Sequence, residues 1–238
     1  IGIIIMAALV IMVPRYILPW AGDQVANWIP HSWLMIAGDE TLAILDESFF
    51  SPSELALQDQ EKLTHEFNRM ASLVLKDQRA KLVFRQSEEI GPNAFALPGG
   101  VVVLTDELVE IAEDQAGVIG VLAHELGHVH LKHPARRLVR SLMALALVSL
   151  IFDDAATFAE ELAAVSGSLI SLAYTREFEE EADRAGKEIL IRAGLSPIPL
   201  ANLLQKLSDG CQENCSQLPE WLNTHPSVPS RIEFLLSE

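Results

Sequence analysis

Apolar positions along this chain recur with different periods, and each period predicts a different element. From Ser53 to Gln78 they follow helical spacing through Leu55, Leu63, Phe67, Met70, Leu73 and Val74. That predicts a packing helix with Ser53 as its N-cap. Lys81 to Arg85 and Ala94 to Leu104 are short runs with Val and Phe, parted by the turn-forming Gly91-Pro92-Asn93, and predict a pair of strands. Pro98 has no N–H to give a sheet ladder, which puts the second strand at an edge. Asp114 to Lys132 predicts an amphipathic helix with Val118, Ile119, Leu122, Leu126 and Val129 on its apolar face, ended by Pro134.

The pattern turns wholly helical beyond this point. Arg136 to Phe152 is apolar from Leu142 onward, but Asp153-Asp154 cut it off before it could cross a bilayer, so it reads as a core or membrane-surface helix. A long helix from about Thr157 to Gly186 and shorter ones over Pro197 to Leu207 and Ser227 to Leu236 complete the series. The elements define an α+β, mainly helical domain over residues 53–238 with a small β-sheet.

The N-terminal part has another character. Ile1 to Val13 carries no charged or polar side chain, and the chain reads as a piece that starts inside a hydrophobic helix. Thirteen such residues are short of the roughly 20 that a bilayer span needs, yet Arg15, Tyr16 and Trp20 suit a membrane interface. A signal peptide fits less well, because Pro14-Arg15-Tyr16 stands where a small-residue cleavage site belongs. Residues 1–20 are therefore expected to be the C-terminal part of a membrane anchor helix. Residues 21–52, rich in Pro, Gly and Trp, are expected to be a linker and loop region.

Composition narrows the function. Half of the residues are hydrophobic and 21% charged, as in a folded protein, and the net charge of -16 would repel a phosphate backbone, which excludes nucleic acid as a partner. The only cysteines, Cys211 and Cys215, cannot frame a disulfide fold. They allow one local bridge or two free thiols, and no second Cys or His pair stands nearby to complete a structural zinc site.

The chemistry concentrates in His124-Glu125-Leu126-Gly127-His128. Histidines four apart on a helix project from one face toward a single ion, at about 2.0–2.1 Å if that ion is zinc. Glu125, one step round, can take a proton from an attacking water without being an obvious ligand. The arrangement predicts one zinc per chain, with His124 and His128 as ligands and Glu125 as general base. His130 and His133 fall off this face, so solvent or contact with a ligand is their expected place. A hydrolytic zinc needs a third protein ligand, and the richest source is Tyr174 to Asp183, where Glu179 and Asp183 share a face at i and i+4. Spacing alone leaves Glu179 and Glu180 as alternatives.

At this point the sequence resembles the zinc peptidase family of HtpX, the CAAX prenyl endopeptidase and the BepA-type periplasmic proteases. Four segments carry the likeness, which runs from about Ser53 to the end: Asn93 to Gly100, His124 to His128, Glu179 to Asp183, and Thr224-His225-Pro226 followed by Arg231-Ile232. The family is of the gluzincin type. The resemblance implies Glu179 as third ligand and Asp183 as the residue that holds a ligand imidazole in its metal-binding tautomer. It also implies a cleft lined by the edge strand, with Asn93, Ala94, Phe95, Pro98, Gly99 and Gly100 binding an extended polypeptide by strand addition. His225 resembles a late family histidine that either stabilises the oxyanion or caps the zinc at rest, and Arg231 falls near the same cleft. The short, Asp-terminated Leu138 to Phe152 stretch departs from the many-span members and favours the single-anchor, BepA-like branch. That points to a catalytic domain on the periplasmic side of a bacterial inner membrane.

The expected function is hydrolysis of internal peptide bonds in unfolded or misassembled proteins. Its rival is a zinc-containing, chaperone-like module that binds such chains without turnover. An intact Glu125 speaks for the enzyme, since a binding module has no need of the base. No feature of the sequence sets the oligomeric state.

Overall fold

The computed structural model describes residues 12–75, 80–152, 174–213, 220–225 and 228–237. A π-helical turn, Val13–Ile17, leads into α1 (Leu18–Trp28) and α2 (His31–Ser48). Then come β1 (Ser51–Pro52), α3 (Leu57–Val74), β2 (Lys81–Gln86), β3 (Ala94–Ala96), β4 (Val101–Thr105), α4 (Asp106–Ala112) and α5 (Gln115–His130). The C-terminal half contributes α6 (His133–Phe152), α7 (Arg176–Arg192), α8 (Ile198–Glu213), α9 (Glu220–Thr224) and α10 (Val228–Leu236). The α+β, mainly helical character expected from the pattern is what is observed.

One mixed sheet in the order β1-β2-β4-β3 divides the core. Its register places Phe84, Val102, Leu104, Ala94 and Ala96 on the face covered by α3, α5 and α8. Val83, Val101, Val103, Phe95 and Leu97 face the other way, against Leu42 and Leu45 of α2. This is the period-2 alternation of a sheet buried on both faces. The expected second strand is in fact a hairpin, β3 and β4, folded at the turn Pro98–Gly100, where Gly99 takes φ 78°. Pro98 belongs to that turn. Of the two hairpin strands, β3 lies at an edge of the sheet, while β4 pairs with β2 in parallel and is interior.

Other expectations need correction. Ser53 does not cap α3, which starts at Leu57 after Ala56; the Ser53 hydroxyl donates instead to Asp106 at 2.7 Å. Residues 21–52 are not a loop region: apart from short connections they form α1, α2 and β1. Leu34, Gly38, Leu42 and Leu45 make the buried stripe of α2. Gly38 has to be glycine there, because a Cβ would stand 2.0 Å from the Pro98 carbonyl oxygen. Of the helix expected over Thr157 to Gly186, the described part is α7, which starts after Thr175, whose side chain accepts from the Phe178 amide, and runs past Gly186 to Arg192. Residues 153–173, the start of that expectation, lie outside the described residues, as do residues 1–11 and Cys215.

Gly186 continues α7 because it is a contact, whereas Gly194, with φ 71°, closes the segment. A Cβ on Gly186 would come within 3.0 Å of the His124 Cα, and one on Gly127 would come within 2.7 Å of the Ala182 carbonyl oxygen. The two helices therefore meet backbone to backbone. As a result α5 is buried on nearly all sides from Gly117 to Val129, rather than amphipathic as its spacing predicted.

Candidate metal centre

His124, Glu125 and His128 come from α5, and all are fully buried. Asp114 caps the helix by accepting from the Ala116 amide, which sets where its turns begin. Facing it, α7 contributes Glu179 at 1% exposure and Asp183 at 3%, while Glu180 points outward. From the C-terminal end of α9 comes His225, buried beside His124, Glu125, His128 and Glu179.

The nitrogen and oxygen atoms of His124, His128, Glu179 and His225 converge. One ligand atom from each lies within 4.8 Å of all the others. Nε2 of His124 is 3.0 Å from Nε2 of His128 and 3.2 Å from Nδ1 of His225, which is itself 2.9 Å from Oε1 of Glu179. Ring nitrogens crowded this closely cannot all be satisfied by one another's few protons. Further polar atoms here, Oε2 of Glu125 and Nε2 of His225, are buried without a hydrogen-bond partner. Three imidazole nitrogens and a carboxylate oxygen converging on unfilled demand is a donor set that suits a metal ion of the zinc kind.

Charge agrees with this. Burial and the Arg231 cation both disfavour a proton on His124, yet hydrogen bonds to Asp183 and Glu179 outweigh them and raise its pKa to about 9. Burial holds His128, 3.0 Å away, well below its ordinary value. The carboxylates thus favour positive charge on His124 even without an ion. Burial also pushes Glu125 upward, toward the range useful to a base near neutrality. Trp221 Nε1 reaches Glu125 Oε1 over 3.4 Å.

Arg231 closes the far side. Its Nε and Nη2 donate to the two oxygens of Asp183 at 2.8 and 2.9 Å, and Nη1 donates to the His225 carbonyl at 3.0 Å and lies 3.1 Å from Glu179 Oε2. Asp183 Oδ1 is in turn 2.9 Å from His124 Nδ1.

The strand residues are placed less uniformly. Ala94 and Ala96 face α5, whereas the Phe95 side chain packs on the opposite face of the sheet, 6.3 Å from the Phe50 ring. Asn93 is fully buried with both side-chain amide atoms unpartnered, beside Pro92, whose carbonyl accepts from the Trp221 amide. Pro98, Gly99 and Gly100 lie under α2, where a Cβ on Gly99 would strike Met35. Two aromatic contacts had no signal in the sequence: Tyr174 stacks on the His128 ring at 4.1 Å, and Trp221 meets His124 edge-on at 6.1 Å.

A helix bearing two histidines one turn apart, a second helix supplying carboxylates and an edge strand beside them define a metallopeptidase domain. The model of Peptidase family M48 matches residues 57–238, and the chain belongs to that family. It is 37% identical over 150 residues to the beta-barrel assembly-enhancing protease of Yersinia pestis, covering 59% of this chain and 31% of that protein. It is 31% identical over 149 residues to the mitochondrial metalloendopeptidase OMA1 of Saccharomyces cerevisiae, covering 60% of this chain and 42% of that protein. With the putative beta-barrel assembly-enhancing protease of Vibrio cholerae it shares 32% identity over 166 residues, 66% of this chain and 34% of that one. The chain thus matches between 31% and 42% of the length of these relatives.

Proposed function

We propose that this chain is a zinc-dependent metalloendopeptidase, with His124, His128 and Glu179 as the protein ligands and His225 in the fourth position at rest. The observation that carries the reading is the convergence of these side chains from separate helices on one buried point. When bound, zinc would supply Lewis-acid activation of the scissile carbonyl and of a water molecule. Glu125 takes the proton of that water and passes it to the leaving amine; its burial-raised pKa and its free Oε2 suit both transfers. Asp183 holds Nδ1 of His124, leaving Nε2 for the metal.

Substrate pairs with β3 in this reading. The ladder to β4 uses Asn93 and Leu97, as in Thr105 N to Asn93 O at 3.0 Å and Leu97 N to Val101 O at 2.7 Å. By alternation the Ala94 and Ala96 peptide groups point away from β4; both residues are buried, so an extended chain would add there once that side is uncovered. Main-chain pairing selects for extended, unfolded segments rather than for a sequence, which is why unfolded or misassembled proteins are the proposed substrates. The idle amide of Asn93 is a ready partner for a substrate peptide group.

An N-terminal anchor in a bacterial inner membrane, with the catalytic domain on its periplasmic side, belongs to the same reading. Its support is the apolar run Ile1 to Val13 together with exposed Tyr16, Trp20, Trp28 and Trp33 beyond it. No helix among the described residues is long and apolar enough to cross a membrane.

Glu125→Gln tests the enzyme against the binding module. The variant should retain one zinc per chain and lose turnover of casein by about 10²–10⁴-fold in kcat. Zinc retention with near-wild-type cleavage would remove Glu125 from the role of base, and a wild type that binds zinc and unfolded chains without cleaving them would favour the chaperone-like alternative.

A further inference from the structure

His133 is the first residue of α6 and five positions after His128. On a continuous helix that spacing would turn it about 140° away from the ligand. The helix does not continue: Leu131 ends it, and Lys132 takes φ 56°, a left-handed conformation unusual for lysine, which swings the chain back. His133 is fully buried as a result, its Nδ1 3.0 Å from Nδ1 of His128 and its Nε2 3.0 Å from Oε2 of Glu181. The ring lies flat on Phe178, with centroids 4.1 Å apart and planes 3° from parallel.

These contacts permit one arrangement of protons if His128 binds metal through Nε2. Its proton is then on Nδ1 and must be donated, so His133 accepts at Nδ1 and carries its own proton on Nε2, which it donates to Glu181. Glu181 is in turn held by Arg136 at 3.3 Å, and Arg136 and Arg140 are both fixed by Asp23 of α1 at 2.7 Å. We infer that His133 is a positioning residue for the metal centre, which fixes the tautomer and ring angle of His128 and is itself fixed through Glu181. His128 thereby has the counterpart of what Asp183 gives His124, delivered through a second imidazole. The inference rests on the proposed ligation by His128.

The test is the zinc affinity of the full chain, measured by competition with a chelator, alongside thermal unfolding of the metal-free protein. His133→Phe keeps the stack on Phe178 and removes the acceptor; it should weaken zinc by about 10–100-fold, with little change in metal-free stability. His133→Asn, whose Oδ1 stands near the place of Nδ1, should recover most of the loss. Glu181 is 41% exposed, so its variants should fold even if His133→Phe does not. Glu181→Ala should weaken zinc severalfold, and Glu181→Gln, which keeps an acceptor without the charge, should not. Wild-type affinity in both His133→Phe and Glu181→Ala overturns the proposal, as does equal loss in Glu181→Gln and Glu181→Ala. A wild type that takes up no zinc overturns the underlying ligand assignment, and this inference with it.

Discussion

Oδ1 of Asp183 lies 2.9 Å from Nδ1 of His124, on the side of the ring away from His128. One turn earlier on the same helix, Glu179 approaches the other nitrogen, with Oε2 3.5 Å from Nε2. A single face of α7 thus meets both edges of one imidazole, and the two carboxylates have different tasks because they meet different nitrogens. In the proposed centre the first would hold the proton on Nδ1, and the second would share the ion with Nε2.

This division predicts unequal costs among neighbours. Glu179→Gln should weaken zinc binding by well over tenfold, since it removes an anionic ligand atom from a buried cluster, while the exposed Glu180→Gln should leave it within about twofold. Equilibrium zinc titration of both variants decides the point, and equal losses would reject Glu179 as the ligand.

His225 should restrain the resting enzyme. Its Nδ1 lies among the ligand atoms, and its backbone carbonyl is pinned by Arg231 at 3.0 Å. His225→Ala is expected to raise basal casein cleavage severalfold and to keep one zinc per chain. A fall of about 10²–10³ in kcat would instead make His225 a donor to the oxyanion.

Acid should act on the metal-free fold through Asp183. Burial alone would raise this carboxyl, but the Arg231 charge and the His124 hydrogen bond outweigh it and lower it from 3.8 to about 2. A carboxyl depressed in the folded state stabilises the fold above its unfolded value, and that contribution disappears as pH falls from 3.8 toward about 2. Asp183→Asn should be destabilised by on the order of 3 kcal/mol at neutral pH, because it takes from the buried Arg231 the carboxylate that accepts two of its hydrogen bonds and leaves Glu179 opposite its charge. The gap in unfolding temperature between wild type and variant should narrow across that acid window. A gap that stays constant down to the lowest pH would mean that Asp183 does not titrate as described.

Much of the centre was legible because its geometry is local. His124, Glu125 and His128 follow from helical spacing alone, and the resemblance singled out Glu179, where burial now separates it from Glu180. For His133 the sequence left solvent and contact with a ligand as alternatives, because a left-handed lysine, which turns the chain back after α5, carries no signature in sequence. Trp221 and Tyr174 reach the site only through tertiary packing, which no periodicity reports. The N-terminal helices were missed for a different reason: the glycines and prolines of residues 21–52 read as loop signals, although Gly38 is a point of close approach. The β3–β4 hairpin was read as one strand because its turn, Pro98–Gly100, is short and its flanks are uniformly apolar.

The contact of Gly127 and Gly186 with the facing main chain has a consequence for the ion. Metal–ligand distances hold within about ±0.2 Å, and His124 and Glu179 reach the same point from two different helices. The gap they must close is fixed by peptide groups in van der Waals contact, which cannot shorten and which only an added atom can widen. If His124 and Glu179 hold the ion as proposed, the dimensions of its coordination sphere are set by the main chain of α5 and α7. A single methyl group on that seam would detune the centre while leaving every ligand in the sequence unchanged.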